Sequence, residues 1–350
     1  MIVNLSDAVN ILKSGHVVGM PTETVYGLAG RVDSESAIQE IFATKQRPFF
    51  DPLIVHVRDE TEAQSVVRQW PAAARALAYQ FWPGPLTLIL PKSENISSLI
   101  TSGLDTVGVR CPDHPMALEL IRRVGSPLAA PSANLFGRTS PTQATHVEIE
   151  FESLVPVLDG GVCQVGIEST VLLVKTIGGF SSMSKSEKFE IAILREGAIV
   201  KSQIENCLTQ AGIEFQVLLE VSRQESPGHL KHHYMPNVPL IYCRQIPRCE
   251  EHLRSATEGQ LKNLPNEVEG IRLRKPTQLS KMWDLVLSSD PRMAARELYQ
   301  KLRELSEEGP DAIYFVEPQS IRQGLDQELW QAIIDRLTKA ASLLLDEELA

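Results

Sequence analysis

Cysteine is scarce and scattered, with five in 350 residues, at 111, 163, 207, 243 and 249, and no CxxC pair. That distribution argues against a paired-cysteine zinc module and against a secreted disulfide framework, so a reducing cytoplasm is the default setting. Basic excess is absent too: 34 Lys and Arg against 44 Asp and Glu give a formal charge of −10. Broad, non-specific nucleic-acid binding needs a basic surface and is opposed by this balance, although a local basic pocket is not. No apolar run approaches the ~20 residues of a membrane-spanning helix, so no membrane role is expected. The opening MIVNLSDAV has neither the basic and apolar regions of a signal peptide nor the Arg/Ser bias of a transit peptide, which again points to the cytoplasm. The common nucleotide fingerprints, GxxxxGK[ST] and a strand-linked GxGxxG, are missing. So are a GxSxG elbow and a cysteine in a catalytic context. Whatever chemistry the chain performs is expected to rest on binding and orientation, without a covalent nucleophile.

What is present is an ordinary globular composition, 43% hydrophobic and 22% charged, on a chain long enough for two domains with their own cores. The pattern is α/β. Ser6 is placed to cap a helix over 7–14 that Gly15 stops, and HVVGM follows as a buried strand. Ser34 is placed to cap a second helix, with Ala37, Ile38, Ile41 and Phe42 at helical spacing and Lys45 in its last turn. Runs rich in branched residues at 53–57, 86–90, 106–110, 155–159, 169–174 and 190–195 read as strands, and 71–82 and 115–124 as helices. The Gly/Ser/Lys-rich stretch 176–188 reads as a mobile hairpin loop, and 222–239, SRQESPGHLKHHYMPNVP, as an interdomain linker. Beyond it, PLIYC, DLVLSS and DAIYFVE alternate with helical runs 291–308 and 328–344, the βαβ rhythm of a smaller, Rossmann-like α/β domain.

Three polar segments follow apolar stretches or run into them: PTETVYGL at 21–28, KQRPFFDPLIVHV at 45–57 and APSANLFGRTSPT at 130–142. They gather hydroxyls, a lysine, arginines and a histidine where strands of an α/β domain end, which suits a small, highly anionic ligand. Each has a plainer reading. PTETVYGL can be an ordinary turn, Lys45 and Arg47 can be macrodipole partners at a helix end, and His56 a satisfied core residue. Arg110 and Arg195 each close a strand, and strand ends converge on one crevice in open α/β sheets. HLKHH at 229–233 has metal-ligand spacing but no Cys or carboxylate beside it.

In order, PTETVYGL, KQRP with PLIVHV, WPGPLTLIL, VGVRCP, APSAN with SPT, DGG with VGIESTV, and LREGAI resemble the YrdC-type threonylcarbamoyl-adenylate synthases. SPGHLKHHYMP is similar to that family's linker, and the tail resembles the extra C-terminal domain of its long form. The resemblance implies a YrdC-like twisted mixed sheet with a concave central pocket over 1–215, a linker or lid over 216–239, and a Rossmann-like domain over 240–350. It implies that ATP, with Mg2+, L-threonine and bicarbonate or CO2 become threonylcarbamoyl-AMP and pyrophosphate. The group then passes, through a transferase machinery, to an adenosine beside the anticodon of tRNA, with direct tRNA contact open. By the same resemblance Thr24, His56, Arg110, Ala130 (through its backbone) and Ser169 hold threonine. Arg47, Asp51, Thr106, Ser132, Asn134, Ser140 and Arg195 hold ATP, with Lys45 and Arg47 catalytic and Tyr234 over the nucleotide. Two positions depart from the family's pattern: Asp51 stands where Asn is usual, and Glu196 where Pro is usual. Carbamoyl transfer to another acceptor, and a non-catalytic RNA-binding module, are the alternative readings.

Overall fold

The computed structural model describes residues 1–177, 187–218, 232–244, 250–263, 267–268, 271–272, 279–318 and 327–345. Most of the loop expected over 176–188, and residues 219–231 of the expected linker, fall outside these, while 216–217 belong to a strand. The chain divides into two compact units, Met1–Leu135 with Pro141–His229, and Phe136–Ser140 with Leu230–Ala350.

The first unit runs β1 (Ile2–Val3), α1 (Leu5–Lys13), β2 (Val18–Met20), β3 (Gly27–Arg31), α2 (Glu35–Lys45), β4 (Ile54–His56), α3 (Glu60–Val66), α4 (Ala72–Phe81), β5 (Leu86–Pro91) and α5 (Ser98–Thr101). It continues with β6 (Thr106–Arg110), α6 (Pro115–Val124), β7 (Leu128–Ala129), α7 (Ala144–Glu150), β8 (Val157–Leu158), β9 (Thr170–Ile177), β10 (Lys188–Arg195), α8 (Lys201–Gln210) and β11 (Glu214–Val217). Its strands form one mixed sheet in the order β1-β8-β2-β3-β7-β4-β6-β5-β9-β10-β11. The central strands β4, β6 and β5 are buried almost throughout, which explains why they read as continuous branched runs with no alternation. Leu28, Val55, Leu88 and Leu172 share one core with Ile38, Ile41 and Leu77 of the helices. A second core joins Leu12 of α1 and Leu120 of α6 to Val18 and Leu128.

Helix ends follow local chemistry. Ser34 caps α2, its hydroxyl accepting from the Ala37 amide at 3.3 Å. The first helix differs from expectation: it begins at Leu5, and Asn4, not Ser6, is the cap, accepting from the Asp7 amide at 3.0 Å. Asn4 wins because it stands in extended backbone just outside the first turn, the geometry capping needs. The left-handed Gly125, with φ of 77°, stops α6. The strand β3 has no β-branched run and went unread in the sequence.

In the second unit β12 (Leu240–Cys243), α9 (Glu250–Lys262), β13 (Glu267–Val268), β14 (Ile271–Arg272), β15 (Met282–Asp284), α10 (Pro291–Glu307), β16 (Ala312–Val316), α11 (Gln327–Ala340) and β17 (Leu343–Leu345) follow in order. Strands β15-β16-β12-β17 make an all-parallel sheet whose crossovers include α9, α10 and α11, while β13 and β14 pair antiparallel. Two expectations shift. The strand expected at DLVLSS lies upstream at Met282–Asp284, and the helix expected over 328–344 stops at Ala340, releasing Leu343–Leu345 to the sheet. Both are boundary effects of pairing with β16 and β12, which periodicity cannot see.

Candidate functional site

Register builds the centre of the site. Parallel pairing of β4 with β6 sets His56 beside Arg110. On the other side of β6 lies β5, and β5 pairs with β9 so that Thr87 aligns with Val171. Adjacent β10 brings Arg195 level with Val171 across a bulge. Polar ends of neighbouring strands therefore touch. Thr87 Oγ1 lies 2.8 Å from Ser169 Oγ. Arg195 donates from Nε to the Ser169 carbonyl and from Nη2 to the Ser169 hydroxyl, both at 3.1 Å. Gly197 lets the chain after Arg195 lie against this segment: a Cβ there would sit 2.5 Å from the Thr170 amide nitrogen and 2.7 Å from the Glu168 carbonyl oxygen.

The PTET turn reaches the same region by folding back. It joins β2 to β3, yet Glu23 Oε1 is 2.7 Å from Arg110 Nη2 on β6. In the sheet, β3 and β6 are separated by β7 and β4, a span of ~14 Å at normal strand spacing. The ion pair therefore ties the turn to a strand that is not a neighbour of either strand it joins. It is braced by Thr22, whose hydroxyl oxygen accepts from the amides of Thr24 and Val25, both at 3.2 Å, and donates to the Val25 carbonyl at 2.6 Å. Its single proton is spent there, so the 2.9 Å contact with the Thr24 hydroxyl has Thr24 as donor.

His56 is buried and its Nδ1 lies 3.2 Å from the Ile54 carbonyl. Burial, aided by the neighbouring Arg110 charge, pushes its pKa down to about 3, so the ring is neutral at physiological pH. The Ala130 amide donates to the Ile54 carbonyl at 2.9 Å, so any backbone recognition by Ala130 would run through its carbonyl.

A second group surrounds the end of α2. Lys45 is wholly buried, and its Nζ donates to the Ser132 carbonyl at 2.5 Å and to the Asn134 carbonyl. Desolvation, then the nearby Arg47 charge, drives its pKa down, with Glu150 and Asp51 opposing. Arg47 donates to the carbonyls of Asp51 and Pro52 at 3.1 and 3.0 Å, and its Nη2 sits 2.8 Å from Asp51 Oδ2. The acid at the position where the family's Asn is usual is thus the buried counter-ion of Arg47. Asn134 turns its amide to the Leu135 carbonyl at 2.7 Å. Thr106 opens β6 opposite Pro91, four residues before Arg110, so the strand places these two ~13 Å apart.

Ser140 and Tyr234 belong to the second unit. Ser140 is fully buried. Tyr234 adopts a left-handed φ of 65°. Its ring stacks on Tyr299 at 5.7 Å, and the Arg336 guanidinium lies 5.7 Å from the ring centre. Its carbonyl accepts from the Thr139 hydroxyl at 3.1 Å. Among the described residues no group of three His, Cys, Asp or Glu is set to hold a metal. His229 and Lys231 of HLKHH lie outside them.

Glu23, Thr87 and Thr22 were not singled out in the sequence. Glu23 and Thr22 stand within the quoted PTET and Thr87 within WPGPLTLIL, but only burial and pairing separate them from their neighbours.

The comparisons agree with this architecture. Residues 10–197 match the Sua5/YciO/YrdC family, described as telomere recombination. Residues 199–342 match the threonylcarbamoyl-AMP synthase C-terminal domain. A threonylcarbamoyl-AMP synthase of Pyrococcus abyssi is 33% identical over 337 residues, covering 95% of this chain and 93% of that protein. One from Bacillus subtilis is 39% identical over 251 residues, covering 71% and 69%. The crystal structure of P. abyssi Sua5 complexed with L-threonine aligns over 99% of this chain and 100% of that one, with 29% identity and a TM-score of 0.75. The chain belongs to the Sua5/YciO/YrdC family, in the two-domain form that ends in a threonylcarbamoyl-AMP synthase C-terminal domain.

Proposed function

We propose that this enzyme is an L-threonylcarbamoyladenylate synthase, joining L-threonine, bicarbonate or CO2 and MgATP into threonylcarbamoyl-AMP with release of pyrophosphate. The observation that carries the reading is the run of polar groups from His56 and Arg110 to Thr87, Ser169 and Arg195 across neighbouring strands. It supplies two guanidinium groups and two hydroxyls, the kind of groups that bind and orient an anionic substrate. Together with the near full-length likeness to named synthases, it favours this activity over RNA binding or another carbamoyl acceptor.

In the reading, Arg110 takes the threonine carboxylate, with Thr24, neutral His56, the Ala130 carbonyl and Ser169 around the rest of the amino acid. The threonine carbamate then attacks the α-phosphate. Positioning and charge stabilisation carry such a step. Arg47 and Arg195 would draw charge from the phosphates, with Asp51, Thr106, Ser132, Asn134 and Ser140 assigned to the nucleotide. Lys45, whose Nζ donates to two carbonyls, would serve by holding the 132–134 segment in place, and Tyr234 would act over the nucleotide. The described carboxylates do not form a metal cage, and Asp51 and Glu23 already face arginines. Magnesium would enter with ATP, held mainly by its phosphates. The product would pass to the tRNA-modifying transferase in the cytoplasm.

Pyrophosphate release measured with ATP, L-threonine and bicarbonate, each omitted in turn, tests this. Release should need all three. An unchanged rate without threonine or without bicarbonate would refute it.

A further inference from the structure

Glu23 is a buried charge whose surroundings account for only part of it. Its side chain is 4% exposed, and its backbone carbonyl is held by the Val165 amide at 2.7 Å. Glu23 Oε1 lies 2.7 Å from Arg110 Nη2. Yet neither Glu23 oxygen nor Arg110 Nη2 has an aligned hydrogen-bond partner among the described residues. The contact is an ion pair with its directional bonding unused. Buried carboxylates ordinarily fill those sites, because an unfilled one carries a desolvation cost. A counter-ion role toward Arg110 explains one oxygen and leaves the other without a purpose.

An α-amino acid carries an ammonium and a carboxylate on one carbon. Its chemical complement is a guanidinium next to a carboxylate. The Arg110–Glu23 pair has that composition and no net charge, so a neutral zwitterion could dock on it without burying an uncompensated charge. The histidine beside Arg110 in the register is uncharged at neutral pH, so it adds no positive charge to repel an ammonium. The pair joins the PTET turn to β6, which neighbours neither β2 nor β3 in the sheet, and both side chains are buried, so it is not a surface ion pair.

We propose that Glu23 holds the α-ammonium group of the amino-acid substrate, so that Glu23 and Arg110 together recognise the zwitterion. This rests on Arg110 receiving the threonine carboxylate.

The test uses the full-length protein without ATP, and calorimetric binding of two ligands: L-threonine, and 2,3-dihydroxybutyrate of matching configuration, in which a hydroxyl replaces the ammonium. Wild type should bind threonine at least about tenfold more tightly, the scale of one charge-assisted hydrogen bond. Glu23→Gln should weaken threonine binding by a similar factor and leave the analogue nearly unchanged. Equal weakening of both ligands would mean that Glu23 only orients Arg110, and no weakening of either would mean it does nothing for binding. Both results overturn the proposal. Should Glu23→Gln fail to fold, the wild-type comparison decides alone, since equal affinities for threonine and the analogue overturn it. A wild type that binds neither ligand and releases no threonine-dependent pyrophosphate would instead sink the threonine reading, and the proposal with it.

Discussion

Arg47 and Arg110 are buried, and each lies against a carboxylate. An arginine cannot shed its charge, so it needs a partner when buried, and removing that partner from a buried pair costs about 3–5 kcal/mol. Asp51→Ala should destabilise the protein on that scale in urea unfolding, and Asp51→Asn, which keeps an acceptor, by clearly less. His56 contributes in the opposite sense, through being neutral. Its folded pKa of about 3 lies below the ordinary histidine value of 6.5. Between those values the unfolded chain binds the proton and the folded one does not. Stability contributed by burying the neutral ring is full above pH 6.5 and is lost as pH falls toward 3, with a slope of up to about 1.4 kcal/mol per pH unit. Unfolding free energies at pH 7, 6, 5 and 4 should show this acid-side slope reduced by about that amount in His56→Gln. An unchanged slope would assign the acid sensitivity to other groups.

At the scale of elements, the site depends on strand order more than on any one loop. Ser169 just precedes β9 and Arg195 closes β10, and the two meet because β9 and β10 are antiparallel neighbours. Gly197 permits the contact, since an added Cβ would enter the 168–170 backbone. Gly197→Ala should therefore shift Ser169 and lower kcat/KM for threonine-dependent pyrophosphate release by about tenfold to a hundredfold, the cost of an ångström-scale misplacement. Circular dichroism of the variant should stay near wild type. Loss of secondary structure would show instead that the glycine matters to folding. Much at this scale was legible in the sequence: β4, β5, β6 and β9 stand out as branched runs, α2 by its spacing and its Ser34 cap, and α4 and α6 as helical runs between strands. The short β3 and β7 did not, because GLAGR and Leu128–Ala129 carry no strand signature and are recruited by their neighbours.

For the whole molecule, the division between units does not follow a single cut in the chain. Phe136–Ser140, which follows APSAN and ends in the serine of SPT, groups with Leu230–Ala350. Within that unit the Met235 amide donates to the Gly137 carbonyl at 2.8 Å. Thr139 binds the Tyr234 carbonyl with its hydroxyl, and Arg303 donates to the Thr139 carbonyl. A chain truncated after residue 231 would leave these five residues without those partners. Limited proteolysis of the truncated chain should cut within 136–140 faster than in the full chain, at matched conditions. Equal cutting would show that the segment is held by the first unit alone.

The sequence by itself determined the α/β class, the second α/β domain, the ordered motifs and the family they belong to, because these depend on periodicity, local turn chemistry and residue identity. It also contained every site residue by type. Only the tertiary structure decided what those residues do to one another. It set Asp51 against Arg47, buried Lys45 under two carbonyls, neutralised His56 and brought Glu23 onto Arg110. Those outcomes depend on burial and on contacts between positions far apart in the chain, and neither quantity is written in local sequence.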